Sequence, residues 1–166
     1  MKKCIVLIIC FSILGFKQLY GQNEKFKALF IYNFTKYIEW PSAPSDNVFT
    51  IVVLGDSPIK TELESISSYK KIGNASIVVK TAATVAEIGN AFIVYITPQK
   101  KKFLGEIAAL YSGKPILIIT DEAQGAFGIN FVEVDQKQSF QVSKSRIEAH
   151  QLKVNSSLLS LGIAVN

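Results

Sequence analysis

Beyond residue 21 the sequence has no cysteine, because the two it contains are Cys4 and Cys10. Thiol catalysis, disulfide stapling and structural zinc–thiolate sites are therefore excluded for the rest of the chain. Histidine and arginine occur once each, as His150 and Arg146. A single histidine cannot build a two-histidine metal site, and any histidine-based catalysis would rest on His150 alone. Charge is also sparse: Asp, Glu, Lys and Arg make up 19% of the 166 residues. The formal charge of +5 is concentrated at the start. Without Lys2, Lys3 and Lys17, fifteen basic residues face thirteen acidic ones, and no basic stripe for a nucleic acid remains. No Walker loop, Rossmann glycine fingerprint or Gly-x-Ser-x-Gly elbow is present. After residue 21 no apolar run reaches the 18 residues of a membrane span.

What is present is apolar: 49% of residues are hydrophobic, enough for an ordinary one-domain core. Lys2 and Lys3 precede a 13-residue apolar run from Cys4 to Phe16. That run has the length of the apolar core of a secretory signal and is too short to span a bilayer. The expected cut falls near Gly21/Gln22, giving a signal peptide at 1–21 and one domain at 22–166, exported and free of disulfides.

Periodicity supplies the elements. Residues 24–40 read as a helix whose apolar face carries Phe26, Leu29, Phe30, Phe34, Tyr37 and Ile38, stopped by Pro41. Apolar runs at 49–54, 91–96 and 116–119 read as strands buried on both faces. Ser76–Lys80 is a shorter strand, and 129–135 with 139–142 reads as a hairpin. Helices are expected from Ser57–Pro58 to about Ile66, at 84–88, 100–111 and 145–150, and from Ser156 onward. Alternating strands and helices predict an α/β class: a layered α/β/α domain with a mostly parallel central sheet and an antiparallel edge hairpin.

Lys27-Ala-Leu-Phe-Ile-Tyr-Asn-Phe-Thr-Lys-Tyr-Ile-Glu-Trp-Pro41 resembles the opening signature of the YfiR/HmsC-like proteins. Leu54-Gly55, the strand at 91–96 and Pro115-Ile-Leu-Ile-Ile-Thr-Asp121 follow in that family's order. Gly128-Ile-Asn-Phe131, Phe140-Gln-Val-Ser143 and Leu152-Lys-Val-Asn-Ser-Ser-Leu-Leu159 are similar to its closing block. The resemblance covers about residues 25–165. It implies a small periplasmic α/β protein, often a homodimer. It also implies a role in binding the periplasmic sensory region of an inner-membrane diguanylate cyclase and repressing it, which restrains cyclic-di-GMP signalling and biofilm formation. Two departures stand out. Many members carry a cysteine just before the strand at 91–96, where this chain has Asn90, so disulfide control is absent. The family's acidic residue after the Phe of the closing block is Gln141 here.

Gly55-Asp56-Ser57 resembles the nucleophile block of GDSL-type hydrolases. Those enzymes need an acid three residues before their histidine, and Ile147 stands there, so Ser57 reads as a helix cap. His150 reads as a solvated helix end, and Lys100–Lys102 as a wet helix face. Phe127 is an apolar ring in a Gly-bounded loop, and with Gln141, Ile147, Trp40 and Tyr32 it forms the expected partner surface. The rival reading is a small-molecule site where strand ends converge, at Gly55, Asp56, Thr97 and Asp121. Neither reading calls for a metal, a cofactor or a nucleic acid, or for insertion of the exported chain into a membrane.

Overall fold

A computed structural model describes residues 22–125 and 127–166. The expected signal segment and its cut lie outside the described residues, apart from Gln22.

Helix α1 covers residues 22–34 and is followed by a turn and strand β1, Ile38–Glu39. The helix expected to reach Trp40 thus ends six residues early. A tertiary demand replaces it: β1 pairs antiparallel with β9, Lys153–Val154, and the Asn155 N–H donates to the Tyr37 carbonyl at 2.8 Å. The buried face of α1 is also rotated from the expected one. Lys27, Ala28, Ile31 and Phe34 are buried, whereas Leu29 is 46% exposed.

The remaining strands form one eight-stranded sheet. Strand β2 is Val48–Leu54, β3 Lys71–Ile72, β4 Ala75–Ala82 and β5 Ile93–Ile96. Strand β6 is Leu117–Asp121, β7 Ile129–Val134, β8 Lys137–Ser143 and β10 Ile163–Val165. The spatial order is β10-β8-β7-β6-β5-β2-β4-β3. From β7 to β4 all neighbours are parallel. The β7–β8 hairpin is antiparallel as expected, but β10 adds beyond it, parallel to β8. What read as one closing helix is α5, Ser156–Leu161, followed by that strand. Gly162 makes the approach possible, since a Cβ there would collide with the Phe140 ring.

Period-two alternation sends side chains to two layers. Ile51 and Val53 join one core with Ala28, Ile31 and Phe34 of α1, Ile59, Leu63 and Ile66 of α2 (Ile59–Ser67), and Phe131 and Phe140. Val52 and Leu54 face a second core with Leu104 and Ile107 of α3 (Leu104–Leu110). Each fully buried aliphatic or aromatic side chain contributes roughly 1.5–3 kcal/mol, which is how the domain holds together without a disulfide. Short 3-10 turns at Val85–Glu87 and Pro98–Phe103 replace the α-helix expected at 84–88 and the first turn of that expected at 100–111. Helix α4 is Lys144–Ala149.

Ser57 caps as expected: its Oγ accepts the Ile59 N–H at 3.3 Å. The order β4-β2-β5-β6-β7 reverses direction between β2 and β5, and such a switch point opens a crevice at the strand carboxyl ends.

Candidate functional site

A crevice of about 580 Å³ lies beyond those strand ends. Its lining includes Asp56 and Ser57 after β2, Pro98 and Gln99 after β5, Asp121 at the end of β6, and Glu24 and Lys27 of α1. At its floor Lys27 Nζ donates to Asp121 Oδ2 at 2.6 Å, and the Tyr95 hydroxyl donates to the same oxygen at 2.7 Å. Glu24 Oε1 takes a longer bond from Lys27 at 3.4 Å, while its Oε2 is buried without a partner. Asp121 is thus half of a buried ion pair with Lys27 and takes a second donor from Tyr95.

Burial works against the Lys27 charge, but the Asp121 hydrogen bond and charge, joined by Glu24, override it and raise the Lys27 pKa. Burial pushes the Glu24 carboxyl up, against the opposing pull of Lys27. Burial, then the Asp121 charge, holds the Tyr95 phenol far above its ordinary range. Lys27 is therefore a fixed cation and Tyr95 a fixed donor, so neither is poised as a nucleophile or base. Glu122 and Glu133 also line the crevice, so five carboxylates face one engaged lysine. Among the described residues no His, Cys, Asp and Glu cluster has the makings of a metal site.

Of the four residues expected to converge here, Asp56 and Asp121 line the crevice and two do not. Thr97 is fully buried, with its hydroxyl donated to the Leu54 carbonyl at 2.9 Å. Gly55 has φ of +98°, and a Cβ there would strike the Thr97 hydroxyl. Both residues therefore serve the close approach of two strand ends. Sequence reasoning missed Glu24, Lys27 and Tyr95. The available signals were a lysine on the apolar arc of α1 and a lone hydroxyl within the run at 91–96.

A second, smaller cleft of about 120 Å³ is lined by Ala108, Ser112, Phe127, Arg146, Ala149 and His150. Phe127 is half-buried, packed against the second core, and the Arg146 guanidinium lies 5.9 Å from its ring centroid. Gly128 does not free the loop: it is buried, and a Cβ there would collide with the Ile118 carbonyl. The loop is clasped instead by buried Asn130, which bonds both the N–H and the carbonyl of Ala123 and donates to Gln141 Oε1 at 3.1 Å.

His150 is buried rather than solvated, and its Nδ1 sits 2.9 Å from the Tyr111 carbonyl. A carbonyl only accepts, so Nδ1 carries the proton there. His150 and Ser57 line different cavities, which separates the two residues a GDSL-type reaction would need.

The expected partner residues are scattered. Gln141 ties the Phe127 loop through Asn130. Ile147 is 1% exposed and belongs to the first core, so its side chain is not displayed at the surface. Trp40 stands edge-on to Phe49 at 5.1 Å, and its Nε1 is buried without a partner. Tyr32 lies under Lys36 and Lys70 at 5.0 and 6.0 Å.

No curated protein matches the sequence. The YfiR/HmsC-like family model matches residues 24–163, spanning α1 through the first residue of β10. The chain belongs to the YfiR/HmsC-like family.

Proposed function

We propose that this chain is a non-enzymatic periplasmic regulator that binds and represses the periplasmic region of an inner-membrane signalling protein, a diguanylate cyclase. The family match over 24–163 carries the reading. The chemistry of the site supports it: the titratable groups of the crevice floor are consumed by one another, and Ser57 caps a helix. Among the described residues no helix is long and apolar enough to cross a membrane. Repression requires tighter binding to the inactive arrangement of the partner than to the active one. The partner surface centres on the Phe127 loop, with Gln141 behind it and Tyr32 and Trp40 as outlying members. The exported chain begins near Gln22 and carries no cysteine, so reducing agents neither release the partner nor shift melting.

The test is affinity capture from detergent-solubilised membranes with the chain starting at Gln22. Recovery of a transmembrane cyclase whose activity falls on binding supports the reading. A recovered cyclase of unchanged activity, or none, refutes it.

The size of the crevice favours one second reading, a small-molecule site at Asp56 and Asp121, since ligand pockets span roughly 300–1,000 Å³. A thermal-shift screen separates the two: a ligand that raises Tm by many degrees without a partner favours the second.

A further inference from the structure

We propose that the Phe127–Arg146–His150 cleft is the socket for one acidic side chain of the partner protein, its carboxylate held by Arg146. The inference rests on the partner-binding reading and deepens it. Three observations lead there.

The first is charge. Arg146 is exposed and forms no ion pair among the described residues, and no carboxylate lines the cleft. This contrasts with the crevice, where five carboxylates converge. A guanidinium presents a planar fork of donors that matches a carboxylate with two parallel hydrogen bonds.

The second is preorganisation. The Phe127 ring beneath the guanidinium limits its freedom, and Asn130 clasps the loop that carries that ring. Less ordering remains to be done on binding. His150 adds a polar side chain that is 7% exposed and lines the cleft. Its Nδ1 is committed to the Tyr111 carbonyl, and among the described residues no hydrogen bond involves Nε2. In the neutral ring Nε2 accepts, so it suits an N–H or O–H of the partner beside the carboxylate.

The third is size. A volume of about 120 Å³ is far below that of a typical small-molecule pocket, roughly 300–1,000 Å³. The cleft is therefore sized for one side chain rather than for a whole small molecule.

Because arginine and histidine each occur once, each gives one unambiguous set of side-chain NMR signals. The full exported chain is titrated with N-acetylated, amidated Gly-Glu-Gly, with the Gly-Gln-Gly counterpart, with inorganic phosphate and with anionic phospholipid vesicles. The glutamate peptide is expected to shift both the Arg146 Nε–H and the His150 ring signals, and the glutamine peptide neither. Arg146→Gln is expected to weaken glutamate-peptide binding at least about tenfold while Tm stays put, with Arg146→Lys intermediate. Equal response to phosphate makes the cleft a general anion site and overturns the proposal. Vesicle binding that depends on Arg146 overturns it in favour of a membrane surface. Silence of both signals overturns it outright. Such silence leaves membrane capture of a cyclase free to succeed, so failure of the socket and failure of the regulator reading are distinguishable.

Discussion

The crevice and the cleft handle charge in opposite ways. In the crevice Lys27, Asp121 and Tyr95 are buried and spend their hydrogen bonds on one another, pinning α1 to the ends of β5 and β6. In the cleft Arg146 is exposed, lies over the Phe127 ring and forms no ion pair among the described residues. Charges locked in the interior set stability, because removing one partner strands the other in a low dielectric. A charge left free at a rim costs the fold little and stays available to a second molecule. The larger cavity therefore need not be the more functional one.

Substitutions can break this contrast, and Lys27→Met has the largest expected effect. It leaves Asp121 and Glu24 without their cation and should cost about 3–5 kcal/mol, read by urea unfolding. Adding Asp121→Asn should recover part of that loss, since it removes the stranded charge. Additive losses in the double variant would mean the pair is not coupled. The pH dependence follows from the raised Lys27 pKa. Its contribution is fully present below the ordinary value of 10.5 and is lost as pH rises through the higher folded value. Wild type should lose more stability than Lys27→Met across that alkaline window.

Tyr95→Phe comes next. It removes the second donor from Asp121 and should cost about 1–3 kcal/mol, without changing the occupancy of any partner site. Phe127→Ala tests the other region. The ring packs on the second core, so its loss should cost about 1–2 kcal/mol, less than the ~3–5 kcal/mol of a fully buried Phe. Partner binding should fall more than tenfold. A stability loss without a binding loss would assign Phe127 to the core alone.

The smallest effect is expected from Glu24→Gln. Because the folded-state pKa of Glu24 is raised, its protonated form favours the fold below 4.5, and that advantage disappears as pH rises through the folded value. Above that window the Gln variant should match or exceed wild type by less than about 1 kcal/mol. A marked destabilisation at neutral pH would make Glu24 a necessary partner of Lys27.

Strands β2, β5 and β6 were legible in the sequence because each is an apolar run bounded by Gly, Pro or a charge. The hairpin at 129–142 was legible by its alternation. Helix α1 was misread where its local signal and its tertiary role diverge. Phe26, Phe30, Tyr37 and Ile38 look like one stripe, but the chain leaves the helix at residue 34 to pair with β9. Lys27 then occupies the centre of the buried arc, a position periodicity assigns to an apolar residue. Asp121 was readable at a strand end; its partners were not, because Glu24, Lys27 and Tyr95 meet it only through the fold. His150 was misplaced for the same reason, since its partner is the Tyr111 carbonyl, far away in sequence. Strand β10 was hidden inside what read as one helix, because a three-residue strand has no periodicity of its own.

The proposed restraint of a membrane cyclase by binding is tested by cellular cyclic-di-GMP in the source organism lacking the chain, complemented with wild type or with Arg146→Glu. The level should rise in the deletion, return to normal with wild type, and stay high with an Arg146→Glu chain that is exported and folded. A level unchanged by deletion would rule that role out.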